Sequence, residues 1–574
     1  FILLNIKNSS NRYLEIDTWD AVAGTGSMTT STSTATRYRF CYQFEPMPTL
    51  IGNGNLSNSS NWSSGSAPSS GSDIVLASGE LAVDLDINLS NISVANGSSL
   101  TVNPGKKITV ANSFTNNGTF ILQSDNSGTA TFIDENANGN TVTATVNQYL
   151  PNNRNWYVGV PVTDAATVTF SALTASGASS VAYWDESSGS WVSNYTGNLS
   201  RGRGYIAVSN SGSNLSNVSF TGVLNTGNVN VEVTRTVGVN KAGFNLISNP
   251  YPSYLNPCAL ITSSAKLEPT IWYRTKGSAY TFETVNTASG EGTNGVTGYI
   301  PPMQAFWVRV VPNADNPANN NSEILTFTNA MRYHANPTIE GTPVTTTLMK
   351  TRKQSTKALI RLVVSNGIHS DETLIYTNEN ALNGMDKFDS RKISNDNAAV
   401  PEIYTIIGSE SIVINGMNEL PLNKEIALGF KTGQMNTYSI KLSQIENLTE
   451  GVRVILKDEQ TGILTDLTDM QSYSFESAVV SSSNRFSIVF KSPSTTTEIV
   501  NSKDDEGFNV LTESMGKIVL QRVPVGAIIR LYDMLGKQWL KTYATDTTME
   551  VYTNVVPGIY TISINNELKK VIIN

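Results

Sequence analysis

Few stretches of this chain combine residue types and spacing that could do chemistry. "DENANGN", at Asp134–Asn140, follows the first half of a calcium loop, D-x-N-x-N-G, in which carboxylate and amide oxygens alternate around a hard cation. The bidentate Glu that closes such a loop is missing, because position 145 is Thr. An Asn/Gly-rich turn is the preferred reading, which leaves Asp134 a weak metal candidate. Asp386, Asp389 and Asp396 crowd together in "GMDKFDSRKISNDN", where a solvated acidic turn is preferred over a cation loop. Structural calcium at these weak sites is the one cofactor considered; none is expected. Asp185-Glu186 between Trp184 and Trp191 invites comparison with a glycosidase pair. Adjacent strand residues point to opposite faces, so the two cannot flank one bond, and "DESSGS" reads as a hairpin turn. Two histidines, His334 and His369, stand without a Ser or Cys signature, and G-x-S-x-G, H-E-x-x-H and phosphate-loop patterns are absent. No catalytic residue is assigned, and the chain is expected not to be an enzyme.

Aromatic side chains are the remaining candidates for ligand contact. Trp184, Trp191, Tyr251, Tyr254, Trp272 and Trp307 could stack on sugar rings, although β-sandwich cores use the same residues. Core is preferred for most. Tyr251 and Tyr254, on the Pro-fixed bend "NPYPSYLNP", are expected to be the exposed pair and possible glycan contacts.

Composition narrows the class. The 574 residues exceed one core and predict roughly three to five domains. Charged residues make up 15%, below the roughly 25% of an ordinary domain, with Ser, Thr, Asn and Gly in their place. A net charge of −8 without a Lys/Arg stripe argues against nucleic acid. No apolar run is long enough for a membrane-spanning helix. The opening "FILLNIKNSSNRYLEI" reads as a strand with no signal peptide, as if the chain began inside a larger protein. Cys41 and Cys258 are two cysteines far apart, and their pairing stays open.

Short apolar alternations cut by Gly, Asn, Pro and Ser predict an all-β protein. Residues 1–48 read as the end of a preceding β domain, with "SMTTSTSTAT" at Ser27–Thr36 as a loop. Across 49–145 apolar pairs recur as Ile92-x-Val94, Leu100-x-Val102, Ile108-x-Val110 and Phe120-x-Leu122, with Gly turns between. Each unit is too small to bury anything alone, so a short β-solenoid is expected, with Trp62 covering its first coil. An aromatic-rich β-sandwich (146–334), a linker (335–357), a cleanly alternating antiparallel sandwich (358–491), a polar joint (492–507) and a unit of 508–574 follow.

The last unit carries a family pattern. "LYDMLGK" at Leu531–Lys537, "PGIY" at Pro557–Tyr560 and "KKVII" at Lys569–Ile573 together resemble the type A C-terminal sorting domain of the Bacteroidetes type IX secretion system. The resemblance implies a small Ig-like β-sandwich read by the secretion translocon and an outer-membrane shuttle protein, then removed by a sortase-like protease. The residues carried over as recognition sites are Leu535, Gly536, Lys537, Pro557, Gly558, Tyr560, Lys569 and Lys570. Glycines 536 and 558 are expected to take left-handed backbone, and Asn565-Asn566 a tight turn. Upstream, "GNGNLSNSSNW", "NWYVGVPV", "GFNLISNPYPSYLNP" and "PPMQAFWV" resemble modules of large secreted Bacteroidetes surface proteins.

The expectation is therefore the C-terminal part of a secreted, surface-displayed adhesin or stalk, exported across the outer membrane. Its rival is a set of accessory carbohydrate-binding and secretion modules of a larger hydrolase whose catalytic domain precedes residue 1.

Overall fold

Apolar residues two apart bury one face of a strand, and the chain is accordingly 54% strand and 3% helix, all-β as its patterning predicts. The computed structural model describes residues 47–136, 139–150, 155–163, 165–166, 181–208, 217–276, 278–335, 357–469, 471–492, 508–512, 517–565 and 567–573, with three short strands before them. The Ser27–Thr36 loop, Cys41, Asn566 and most of both linkers lie outside the described residues. Cys258 is half-buried, and burial pushes its thiol up to about 11. Two compact units divide the chain, one of residues 1–276 and 282–349, the other of 277–281 and 350–574.

The first unit begins as a parallel solenoid. One sheet stacks Gly54–Asn55, Glu80–Val83, Ser99–Val102, Thr119–Leu122 and Thr143–Tyr149, all parallel, with Leu81 opposite Leu100 and Leu100 opposite Phe120. The other stacks Ile74–Leu76, Ile87–Val94, Lys107–Asn116 and Thr131–Asp134, with Ile108 opposite Phe132. Successive apolar pairs therefore fall in opposite sheets. A coil takes two of the expected units, roughly 20 residues, because one strand has nothing to face until the chain returns beneath it. Phe114, Phe120 and Phe132 close the interior edge to face, with centroids 4.8, 6.0 and 5.5 Å apart. At Gly118 a Cβ would collide with the carbonyl oxygens of Ala95 and Ser98, so that coil closes only on glycine. Trp62 is buried in the first coil, its indole donating to the Leu56 carbonyl at 3.0 Å.

A stack of strands ends in open edges that invite pairing with other chains. Here Asn217–Val223 pairs antiparallel along Thr143–Tyr149 and becomes the terminal strand of the first sheet. Beside Thr131–Asp134, the edge of the second, Phe132 donates its N–H to the Pro252 carbonyl and accepts from the Arg332 guanidinium. One continuous core runs from Leu50 through the solenoid to Leu224 and includes Met303. A second core gathers Val229, Ile247, Tyr251, Phe306 and Phe327 around the antiparallel pair Phe244–Ser248 and Ala305–Arg309.

In the second unit, residues 358–491 form one eleven-stranded sheet whose distant strands meet in a single core, Ile360 and Leu362 with Phe486 and Ile488. The expected antiparallel alternation fails in the middle of the sheet. Ser370–Thr377 pairs parallel with Glu410–Met417 and is buried on both faces, since residues such as Phe388 cover its far side. Arg361 bridges Glu372 at 2.7 Å, and Lys392 bridges Asp371 at 2.8 Å.

Candidate functional site

Each candidate for chemistry has partners within the fold. Asp134 is buried and accepts from the backbone N–H of Asn136 and from the Asn140 amide, so its carboxylate organises its own turn. Asp386 accepts from the N–H groups of Leu382 and Phe388, while Asp389 accepts from those of Asp386 and Gly416. Burial pushes the Asp389 carboxyl up to about 7. Among the described residues, no group of three or more His, Cys, Asp or Glu could hold a metal. Glu186 is buried away from Asp185 and accepts from the N–H groups of Thr236 and Gly243 at 2.9 and 2.7 Å. Asp185 closes the hairpin in which Trp184 faces Trp191.

Most of the aromatic side chains turn inward. Trp184, Trp191 and Trp307 interlock with centroids 5.6–5.9 Å apart; Trp272 and Trp307 are buried and Trp184 is half-buried, while Trp191 stays 37% exposed. The expectation for Tyr251 is overturned: it is 0% exposed, its hydroxyl 2.7 Å from the Gly227 carbonyl and its ring under the Arg332 guanidinium at 4.7 Å. Prolines 250 and 252 fix the bend so that it faces the core. Tyr254 is half-buried and pairs with Tyr333. Neither residue forms the exposed platform that the bend promised.

His334 has a structural place as well. Its ring bridges the hydroxyls of Thr109 and Thr131, both at 2.8 Å. Burial, then the charges of Arg332 and Lys107, lower its pKa to about 3. The unfolded chain takes up a proton near pH 6.5 while the folded one does not, so the stability tied to His334 is complete above that pH and is lost as pH falls toward 3. Thermal unfolding of the full chain from pH 7.5 downward should show the first unit losing roughly 1.4 kcal/mol per pH unit below about 6.5. His334→Gln should flatten that slope; an unchanged slope would assign it to other groups.

The residues expected from the sequence to be recognition sites lie in the last module. Two sheets face each other, one of Asn509–Thr512, Lys517–Gln521 and Thr548–Tyr552, the other ordered Gln538–Tyr543, Ile528–Asp533, Gly558–Ile564, Glu567–Ile573. Alternation sends Ile529, Leu531, Tyr560, Ile562, Val571 and Ile573 into the core between them. The chain reverses at Asp533–Lys537, where Gly536 takes φ 80° and Asp533 accepts from the N–H groups of Leu535 and Lys537, both at 2.9 Å. Its other oxygen accepts the Trp539 indole at 2.9 Å, and the Lys537 ammonium lies 4.0 Å from that ring. These hydrogen bonds, the Trp539 one foremost, hold the Asp533 carboxyl below its usual range. Leu535 projects from this tip and is 95% exposed.

Most of the predicted recognition residues come together at one end. Asp533 lies opposite Tyr560 and Gly558 opposite Ile573, so Leu535, Gly536, Lys537, Pro557, Gly558 and Tyr560 share it. Lys569 and Lys570 sit farther along the last strand and part company. Lys569 turns over the Phe508 ring at 5.2 Å, and Lys570 faces outward. Gly558 has no left-handed backbone, contrary to expectation; it opens a strand beside the Tyr560 ring, whose hydroxyl donates to the Val556 carbonyl at 2.7 Å. Asn565 does take positive φ, 47°, at the final turn. Asp533, Trp539 and the outward Arg530 and Lys541 were not singled out as site residues, although their parity against Ile529 and Leu531 was readable.

The family model described as "Domain of unknown function (DUF8693)" matches residues 51–490, and the terminal module lies beyond that match. The chain is also 24% identical to the minor fimbrium subunit Mfa5 of Porphyromonas gingivalis, a Bacteroidetes surface protein, over 90% of this chain and 45% of that protein. It thus spans less than half the length of that relative. No solved structure matches. Among the described residues, no helix is long and apolar enough to cross a membrane.

Proposed function

We propose, from a chain that belongs to the DUF8693 family and resembles a fimbrium subunit, that this protein is part of a cell-surface adhesin or stalk whose last module is a type IX secretion and anchoring signal. The solenoid and sandwiches act as rigid presentation modules and carry out no covalent chemistry of their own. Export takes the protein across the outer membrane, with the translocon, the shuttle protein and the sortase-like protease reading the last module.

The observation that carries this reading is the tip at Asp533–Lys537. An apolar side chain exposed as fully as Leu535, on a turn braced by three hydrogen bonds to one carboxylate, presents a fixed shape to a partner. The test fuses residues 492–574 to a fluorescent reporter carrying an ordinary export signal, in a Bacteroidetes host with and without the type IX machinery. Reporter at the surface or in the medium only when the machinery is present is the expected result. Retention in the periplasm of both hosts would overturn the sorting assignment.

A further inference from the structure

We infer that the outer face of the four-stranded sheet in the last module docks, tip first, onto an anionic lipid surface. Strand parity defines that face. With Ile529, Leu531, Ile562 and Val571 turned into the core, Arg530 and Lys570 point outward, and Lys541 stands directly across from Arg530. Among the described residues, Arg530, Lys541 and Lys570 make no hydrogen bond or ion pair, and no Asp or Glu lies among the outward positions of these strands. Like charges directly opposite on a sheet are destabilising. An anionic surface resting on the face turns that repulsion into attraction. The module is basic as well: residues 508–574 hold seven Lys and Arg against five Asp and Glu, within a chain of net charge −8.

The apolar residues show which end approaches. Register places the Met534–Leu535 tip beside Ile559 and Ile572, which face each other on neighbouring strands, and all four are exposed. Behind this apolar end come Trp539 and Tyr532, with Lys537 and Lys570 at a similar depth, and then Arg530 and Lys541. An apolar end, then amphipathic rings, then cations is the order of layers that a bilayer interface presents from acyl chains to phosphates. An acidic protein surface would satisfy the cations but gives no reason for a leucine at a turn to stand 95% exposed.

The test mixes the purified full chain with vesicles of phosphatidylethanolamine containing phosphatidylglycerol, and with vesicles of phosphatidylcholine alone. It needs no secretion machinery, so its outcome is independent of the export test. Co-sedimentation with the anionic vesicles only, weakened by added salt, is expected. Arg530→Gln, Lys541→Gln and Lys570→Gln should each weaken binding roughly fivefold. Leu535→Asp should abolish it while leaving thermal unfolding unchanged, because the Leu535 side chain is 95% exposed. Equal binding to both vesicle types, no binding to either, or indifference to the Leu535→Asp and Arg530→Gln changes would overturn the proposal; the second outcome would leave the face to a protein partner.

Discussion

Replacing Val571 with aspartate is expected to unfold the last module and abolish reporter export, while Ile572→Asp, one residue on, leaves the module folded. The difference lies in the pleat. Val571 is 3% exposed and packs in a core with Tyr560 and Ile562, whereas Ile572 is 47% exposed on the opposite face. Burying a carboxylate there sacrifices the valine's hydrophobic contribution, about 1.5–3 kcal/mol, and adds the desolvation of an unpaired charge. A module of this size commands only roughly 3–10 kcal/mol in all. Limited proteolysis of the full chain reads the result, with cleavage appearing within 508–573 for Val571→Asp alone. Resistance of that variant would mean that the last strand is dispensable to the module.

Arg332→Ala should cost the first unit about 3–5 kcal/mol. The guanidinium is buried without a carboxylate partner among the described salt bridges, and it donates to Ser253 at 3.0 Å, Asn329 at 3.1 Å and the Phe132 carbonyl at 2.6 Å while covering the Tyr251 ring. Burial lowers its pKa to about 10, far enough above neutrality for it to remain charged. Truncation orphans three polar groups and uncovers the edge of the solenoid's second sheet, where the Pro252 contact and His334 would remain. Arg332→Met keeps volume over Tyr251 and removes the buried charge, so its loss should be smaller, about 1–3 kcal/mol. Urea unfolding of the full chain, followed in the transition of the first unit, distinguishes these values. An alanine variant as stable as the parent would show that the edge is held by other contacts.

Much of the fold was legible because β-structure writes its two faces into sequence with a period of two. The pairs Leu100-x-Val102 and Phe120-x-Leu122 announced buried strands, and Ile529-x-Leu531 announced the hairpin that Gly536 turns. What the period cannot state is which sheet a strand joins. Ile92-x-Val94 and Leu100-x-Val102 look alike in sequence yet lie in opposite walls of the solenoid. The parallel pairing of Ser370–Thr377 with Glu410–Met417 was hidden in the same way, since a strand buried on both faces shows no alternation.

The candidate site divides along the same line. By itself, the sequence determined an all-β chain, a turn at Gly536 and a last strand with Val571 and Ile573 on one face, since backbone stereochemistry and the pleat act over a few neighbouring residues. Only the tertiary structure decided that Tyr251 faces the core, that His334 and Arg332 seal a sheet edge about 200 residues away in sequence, and that Lys569 and Lys570 serve opposite faces. Burial and partnership are set by what packs on top of a residue. In a protein built from long-range strand pairs, that covering arrives from distant parts of the chain.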